Sequence, residues 1–243
     1  MLSIFLSISL NDRSNIIQTL FGKYCLLCGT ASNGNLCAPC HDSLPHLPFN
    51  HCMVCALPMA ESCVCGACLA KPPAFDRTVA ALSYAFPVNA LIHSLKYQTN
   101  LPMAPVLADL LLARIDKDSF PDFIVPMPLH PVRLRERGFN QALEIARKVS
   151  KRCGIPLLPD ACKRIKDTVS QAELPWKERE KNIRGALTCE TDLTGKHIAM
   201  LDDVMTTGAT LNELAKVLRK HGAVHVSRWV VARTLPRVLP HDS

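Results

Sequence analysis

The stretch that decides the fold is HIAMLDDVMTTGAT, residues 197–210. Residues 198–201 are all apolar and predict a central strand of a parallel sheet, because both faces of such a strand are buried. We expect this strand to end at the acid pair Asp202 and Asp203, whose carboxylates can accept hydrogen bonds from sugar hydroxyls. A turn into the amino end of a helix follows, where orphan N–H groups and the helix dipole favour a phosphate. Its residues are Thr206, Thr207, Gly208, Ala209 and Thr210. The segment therefore predicts a site for a ribose 5′-phosphate.

Strand and helix patterns alternate on both sides of this segment. We expect strands at residues 78–84, 123–127, 156–158 and 224–231, and helices at residues 88–97, 103–115 and 139–153. A further helix follows the 206–210 turn, with its apolar stripe at Leu211, Leu214, Ala215 and Leu218 and a stop at Gly222. Strand, helix, strand in that rhythm favours an α/β fold, a mainly parallel sheet flanked by helices with ligands at the carboxyl ends of the strands.

Cysteines are concentrated near the amino end, since nine of the 12 fall within residues 25–68. Pairs separated by two residues can direct both sulfurs at one metal, and four thiolates complete a tetrahedral structural zinc site. Sequential pairing predicts one zinc held by Cys25, Cys28, Cys37 and Cys40, and a second held by Cys52, Cys55, Cys65 and Cys68. Cys63 can replace Cys65, because the Cys-x-Cys pair leaves that choice open.

A disulfide framework is the alternative for such a density of cysteines, as in small secreted proteins. The opening residues MLSIFLSISL are apolar but lack a basic start and a clean cleavage site, and Asn11 follows them. This run is too short to span a membrane and unlike a signal peptide. We therefore expect a cytoplasmic protein with no membrane span and metal-held cysteines, the later cysteines being ordinary thiols.

Composition and charge divide the chain into parts. The residues before position 73 are neutral, so the net charge of +7 belongs to the remainder. The prolines of Lys71-Pro-Pro73 interrupt regular structure. We predict an N-terminal segment at residues 1–24, a double zinc-knuckle module at residues 25–72 and an α/β domain at residues 73–243.

Residues 197–210 resemble the phosphoribosyl pyrophosphate signature of type I phosphoribosyltransferases, and the chain as a whole resembles the ComF family. The second resemblance is carried by the cysteine knuckles and by LIHSLKY (residues 91–97), VPMPLHPVRLRERGFNQA (125–142), TVSQAELPWKEREKNIRGAL (168–187) and LDDVMTTGAT (201–210). It extends over residues 25–234 and implies a type I phosphoribosyltransferase-like domain behind a zinc finger. Cys63 is additional to the family pattern, and Ala56 stands where a knuckle usually has glycine.

The resemblance also implies roles for charged residues. Asp202 and Asp203 hold the ribose, and the 206–210 loop holds the 5′-phosphate. Arg137 and Asn140 follow the second strand, where phosphoribosyltransferases hold pyrophosphate with magnesium. Arg179, with Gln171 and Asn182, matches a hood that closes over the site. The catalytic set is then Asp202, Asp203, Arg137 and Arg179. Lys96 either reaches phosphate or is an ordinary solvated lysine.

Three functions remain open on the sequence. The ComF resemblance implies a protein that binds phosphoribosyl pyrophosphate and handles incoming single-stranded DNA with the uptake machinery, and it leaves open whether pentosyl transfer occurs. A non-catalytic module that binds single-stranded DNA and retains the ligand site is the second, although +7 is modest and aromatic residues are only 5%. A nucleotide-salvage phosphoribosyltransferase is the third. We can assign no aromatic base-binding sequence.

Overall fold

A computed structural model of the protein describes residues 24–166 and 182–236, and its residues 77–233 include a four-stranded parallel sheet. The strands are β1 (Arg77–Ser83), β2 (Phe123–Pro126), β5 (His197–Met205) and β6 (His225–Arg233). Their order in the sheet is β1-β6-β5-β2. A separate antiparallel pair consists of β3 (Cys162–Arg164) and β4 (Leu187–Cys189).

Seven α-helices lie within the described residues. They are α1 (Ala38–Asp42), α2 (Gly66–Ala70), α3 (Val88–Gln98), α4 (Met103–Leu112), α5 (Pro131–Arg137), α6 (Gln141–Cys153) and α7 (Ala209–Lys220). Helices α4 and α6 pack against each other and the sheet, while α7 packs against β5 and β6. The apolar stripe of α7, with Leu211, Leu214 and Leu218 buried, shares a core with Ile198 and Met200 of β5. The predicted fold class is confirmed.

Strand β5 does not end at the acid pair, so that expectation was wrong. It continues to Met205. The neighbour β2 stops where Pro126 pairs with Leu201, but β6 goes on pairing with β5, Asp202 with Val230 and Met205 with Arg233. One backbone partner is enough to keep the strand extended beyond its apolar run. The two acids therefore project from strand backbone rather than from a loop.

Two further elements differ from the predictions. Residues 156–158 make only one parallel bridge, between Leu157 and Ile124, because Pro156 and Pro159 have no N–H to extend a ladder. Helix α5 and the β3–β4 pair were not predicted. The strands of that pair have three residues each, which is too short for a period-two pattern to be read.

The chain divides into two compact units, Met1–Leu44 and Pro45–Ser243. In the smaller unit the described residues hold the first cysteine cluster, and α1 begins directly after Cys37. In the larger unit the second cluster precedes the sheet, and α2 begins directly after Cys65. The boundaries predicted at residues 24/25 and 72/73 stay predictions. Within residues 24–166 and 182–236, none of the helices is long and apolar enough to cross a membrane.

Candidate functional site

Two adjacent carboxylates lie near the carboxyl end of β5. Asp202 is half-buried and Asp203 is buried. Each accepts a hydrogen bond from the next backbone amide: Asp202 Oδ1 from the N–H of Asp203 at 2.9 Å, and Asp203 Oδ1 from the N–H of Val204 at 2.8 Å. These bonds fix both side chains at the end of the sheet where parallel strands place their ligands.

Lys96, near the end of α3, is the partner of Asp203. Its Nζ lies 2.6 Å from Asp203 Oδ2, and the two side chains are 20% and 4% exposed. Of the two alternatives raised for Lys96, an ordinary solvated lysine is therefore excluded in this structure. Removal of one partner from so buried an ion pair leaves the other charge uncompensated. Lys96 thus pairs with Asp203, a carboxylate that a ligand would otherwise contact.

Near neutral pH, the acid pair beside Lys96 retains one proton, on Asp202. Burial and the adjacent charge of Asp203 raise the pKa of Asp202 to about 8, although the Lys96 charge acts in the opposite direction. Burial alone would lower the pKa of Lys96, but the charge and hydrogen bond of Asp203 outweigh it and raise that pKa. A ligand that needs both carboxylates ionised would therefore release a proton on binding.

The loop after β5 offers open hydrogen-bond donors. Gly208 is the N-cap of α7 with φ 77°, in the left-handed region that favours glycine. Thr207 Oγ1 accepts the N–H of Ala209 at 3.1 Å. In the part of the chain that the structure describes, no group accepts a hydrogen bond from the amides of Thr206, Thr207 or Gly208. With the positive end of the α7 dipole behind them, these amides suit a phosphate.

Helix α5 brings two arginines to the same place. Arg133 and Arg137 are four residues apart and both line the cavity, whereas Arg135 does not. The Arg137 guanidinium carbon lies 5.4 Å from the centroid of the Tyr97 ring, and Arg133 pairs with Glu136 at 3.2 Å. Two planar guanidinium groups at one wall suit a diphosphate better than a single phosphate.

Asn140 has a structural task in addition to its predicted one. Its Oδ1 accepts the amides of Ala142 and Leu143, so it caps α6, and its Nδ2 donates to the carbonyl of Met127 at 3.0 Å. The side chain ties α6 to the end of β2. Its contact with phosphate stays a prediction.

The acids, the loop and the arginines line one cavity of about 310 Å³. The residues predicted for the site that it brings together are Asp202, Asp203, Thr206, Thr207, Gly208, Ala209, Thr210, Arg137, Asn140 and Lys96. Asn182 is not among the lining residues. Gln171 and Arg179 lie outside the described residues, so the predicted roles of both stay predictions.

Aromatic side chains also line the cavity, which the sequence interpretation missed. They are Tyr84, His93 and Tyr97, and the cation Arg164 joins them from β3. The rings of His93 and Tyr97 lie 4.6 Å apart, one helical turn from each other in α3. The spacing of four residues within LIHSLKY was the available signal. Only the packing of α3 at the strand ends turns that helix face into a cavity wall.

The two cysteine clusters have the geometry that zinc requires. In each, the four sulfurs lie within 4.8 Å of one another, and the pairs Cys28–Cys37 and Cys55–Cys65 are 3.7 Å apart. Four sulfurs about 2.3 Å from a tetrahedral zinc are about 3.8 Å apart, whereas a disulfide is about 2.05 Å long. All the cysteines are free thiols. The second cluster contains Cys65, and Cys63 is exposed outside it.

The alanine in the knuckle turn of the second cluster has a strained backbone conformation. Gly29, after Cys28, has φ 74°, and Ala56, after Cys55, has φ 54°. Alanine in this left-handed conformation costs about 1 kcal/mol relative to glycine. Ala56 is nevertheless 1% exposed and packs in the core of the larger unit, so its buried methyl group offsets part of that strain.

Comparisons with known proteins agree with both parts of the chain. The double zinc ribbon domain family matches residues 16–69. Competence protein F of Haemophilus influenzae is 32% identical over 231 residues, 89% of this chain and 100% of that protein. DNA utilization protein YhgH of Escherichia coli is 36% identical over 191 residues, 76% of this chain and 84% of that protein.

Solved structures are more distant. A glutamine phosphoribosylpyrophosphate amidotransferase from B. subtilis is 19% identical with a TM-score of 0.36, covering 52% of this chain and 25% of its own. A purine phosphoribosyltransferase from Pyrococcus horikoshii is 20% identical with a TM-score of 0.30, covering 65% of this chain and 87% of its own.

Proposed function

The chain belongs to the competence protein F family, and from this membership we propose that it binds phosphoribosyl pyrophosphate with magnesium and handles incoming single-stranded DNA. Its relatives are named for competence and for DNA utilization, and we extend that role to this chain together with a partnership with the uptake machinery. Cysteines grouped for metal binding suit a reducing compartment, so we also propose a cytoplasmic location.

The observation that carries the ligand half of the proposal is the single cavity that unites acids, open amides and arginines. Ribose hydroxyls can donate to the carboxylates of Asp202 and Asp203. A 5′-phosphate suits the amides of the 206–210 loop. The forks of Arg133 and Arg137 suit pyrophosphate oxygens. Three kinds of ligand group thus have three kinds of partner within about 310 Å³.

Magnesium would enter with the ligand rather than bind alone. The acid pair holds one proton near neutral pH and also faces Lys96, so its net charge is too small for a bare divalent cation. Among the described residues, only the cysteine clusters group ligating atoms closely enough for a metal. Magnesium that arrives with the ligand would neutralise negative charge on the pyrophosphate leaving group.

If phosphoribosyl transfer takes place, the residues of this chain have defined tasks. Asp202 and Asp203 hold the ribose, the 206–210 loop anchors the 5′-phosphate, and Arg137 stabilises the departing pyrophosphate. Lys96 must release or share Asp203 before a ribose hydroxyl reaches that carboxylate. Arg179, outside the described residues, retains its proposed part in closing the site.

The cavity wall also supports a ligand with an aromatic ring. Tyr84, His93 and Tyr97 line the same cavity as the phosphate loop, and stacking on aromatic side chains is a common way to hold an unpaired base. We propose that this wall holds the base of an acceptor nucleotide or of a single-stranded DNA end beside the bound phosphoribosyl ligand. A non-catalytic module that binds single-stranded DNA through the same wall is our second candidate function.

Thermal melting tests the ligand. Phosphoribosyl pyrophosphate with magnesium at about 100 times its dissociation constant should stabilise the native state by about 2.7 kcal/mol, which raises the melting temperature by about 5–10 °C for a chain of this size. Asp202→Asn combined with Asp203→Asn should abolish the rise. Asp118→Asn, an exposed acid away from the cavity, is the matched control and should retain it. A wild-type melting curve that saturating ligand leaves unchanged would refute the ligand proposal.

Deletion of the gene tests the cellular role. Loss of transformation with unchanged nucleotide pools, reproduced by Asp202→Asn, would support DNA handling through the ligand site. A defect that Asp202→Asn does not reproduce would favour the DNA-binding module. Normal transformation with altered purine or pyrimidine pools would instead support a salvage phosphoribosyltransferase. Binding of the purified protein to single-stranded DNA should weaken as salt rises, because phosphate contacts release counterions.

A further inference from the structure

Two buried arginines in β6 stand between the second cysteine cluster and the phosphate loop. Arg228 is 1% exposed and Arg233 is 7% exposed. Arginine is almost never fully buried unless it is paired. Yet within residues 24–166 and 182–236 no carboxylate forms an ion pair with either of them. Their charges must be balanced by something else.

Arg228 contacts both the knuckle of the second cysteine cluster and the phosphate loop. On one side its Nε and Nη2 donate to Thr78 Oγ1 at 3.0 and 2.6 Å, and Nη2 also reaches the carbonyl of Val54, inside the Cys52–Cys55 knuckle, at 3.4 Å. On the other side its Nη1 fills the space beside Gly208, where a Cβ would lie 2.6 Å from it. Its guanidinium carbon lies 3.2 Å from the centroid of the Phe75 ring. Arg228 is therefore held rigidly behind the loop.

Arg233 makes the same connection through backbone carbonyls. Its Nε donates to the carbonyl of Cys55 at 3.1 Å. Its Nη1 donates to the carbonyls of Met205 at 3.4 Å, Thr234 at 2.6 Å and Thr206. One planar group thus joins a residue of the metal cluster to the first residues of the phosphate loop. We therefore expect a shift of the Cys55 knuckle to disturb the loop carbonyls through this guanidinium group.

The charges of the two arginines and of a zinc-bound second cluster also support a connection between them. Both guanidinium groups are buried, and each donates to a carbonyl of the Cys52–Cys55 knuckle. Four thiolates around one zinc ion carry a net charge of about −2, which equals the two guanidinium charges in magnitude. The sulfur geometry of this cluster fits such an ion.

We propose that the second cysteine cluster, when it holds zinc, controls ligand binding at the phosphate loop, and that Arg228 and Arg233 are the positioning residues that connect them. The metallated cluster balances the two arginines and keeps them against the loop. The arginines in turn hold the loop carbonyls back and add positive charge behind the amides that face the phosphate. The inference rests on the proposed ligand and adds its dependence on one particular metal site.

The first cluster provides an internal control. Its hydrogen bonds within the described residues come from its own segment, such as Cys28 with Thr30 and His41 with Cys37. None of those bonds involves a buried arginine. Zinc in this cluster should stabilise its own unit without affecting the ligand.

Thermodynamic reciprocity supplies the test, because a metal that favours the ligand must be favoured by the ligand equally. Zinc affinity is measured at equilibrium, by competition with a coloured chelator, with and without saturating phosphoribosyl pyrophosphate and magnesium. We expect the dissociation constant of one zinc per chain to fall at least tenfold while that of the other is unchanged. Cys25→Ser, which retains only the second zinc, identifies the ion that binds more tightly. The unaffected first zinc also reports any direct action of the ligand on the chelator.

A variant test runs beside it. Arg233→Gln should keep two zinc ions, bind phosphoribosyl pyrophosphate at least tenfold more weakly and lose the effect of the ligand on zinc affinity. Arg233→Lys keeps the charge without the fork and should fall between. Arg219→Gln removes another arginine that donates to backbone carbonyls, those of Ala74 and Val224 rather than of the second cluster, and should change neither quantity.

The outcomes separate the two claims. Ligand binding by the wild-type protein, with the affinities of both zinc ions unchanged, would overturn this inference and leave the proposed function intact; this measurement needs no variant to fold. Wild-type affinity in a folded Arg233→Gln would also overturn it. Absence of any ligand binding by the wild-type protein would overturn the proposed function and the inference together.

Discussion

The two ends of the β5–β6 strand pair hold charged groups in different ways. At the carboxyl end, Asp203 and Lys96 form a buried ion pair beside the protonated Asp202. At the amino end, Arg219 and His225 contact the carboxylate of Asp76 at 2.7 and 3.4 Å, with side chains about a third or more exposed.

The charged groups at the amino end also form hydrogen bonds with backbone carbonyl and amide groups. Arg219 Nε donates to the carbonyl of Ala74 at 2.6 Å, and the amide of Val226 donates to Asp76 at 2.7 Å. These contacts fasten a helix and a strand, and solvent screens the charges. The carboxyl end holds its acids where burial opposes ionisation. Such local conflict is expected where a protein binds ligand, because charge held out of water is available to the ligand.

The largest expected difference between the two ends is in the ion pairs. Lys96→Met should lower the free energy of unfolding by about 3 kcal/mol at pH 7, because Asp203 is left buried without its partner. Arg219→Met at the amino end should lower it by only about 1 kcal/mol, since that pair is partly screened. Urea unfolding followed by the fluorescence of the buried Trp229 measures both. Equal losses would remove the distinction between the ends.

A smaller effect concerns the proton on the acid pair. The pKa of Asp202 is raised from 3.8 to about 8, so between those values the folded state binds more protons than the unfolded state. Stability should therefore fall as pH rises through this window, by at most about 1.4 kcal/mol per pH unit. Asp202→Asn should remove that slope between pH 6 and 8. A variant whose stability follows pH as the wild type does would contradict the shared proton.

The amino end should show the opposite sign and the smallest effect. Burial, with the charge of His225, lowers the pKa of His197 from 6.5 to about 4. The unfolded state then binds more protons in that window, so stability should fall as pH decreases from about 6.5. His197→Gln keeps a side chain able to reach Ser227 Oγ, now 3.2 Å from Nε2, and should flatten the decrease between pH 6.5 and 5.5. A slope unchanged by His197→Gln would assign the acid sensitivity to other groups.

Local patterns were enough to predict most of the fold. The apolar residues 198–201, the stripe of Leu211, Leu214 and Leu218, and the helical spacing in residues 141–153 identify their elements because burial periodicity acts within one segment. The same patterns could not predict that β5 continues through its acids. That depends on β6, which lies alongside it only after the chain has folded.

Part of the ligand site could likewise be predicted from local sequence, and part of it depends on the tertiary structure. The acids and the threonine loop are contiguous, so their chemistry can be read together from residues 197–210. The partnership of Lys96 with Asp203 and the aromatic wall join parts of the chain about a hundred residues apart, and no local spacing records them. Asn140 shows the converse, because a residue matched to a phosphate role also carries the cap of α6.

The two cysteine clusters show which features of this protein the sequence by itself determined and which ones the tertiary structure decided. Cysteine spacing determined that there are two tetrathiolate clusters, because two residues between cysteines suffice to aim both sulfurs at one ion. Spacing left Cys63 and Cys65 equivalent, and the fold placed Cys65 in the cluster. Only the fold set Arg228 and Arg233 between that cluster and the phosphate loop, since the balance of buried charge depends on distances across the sheet rather than along the chain.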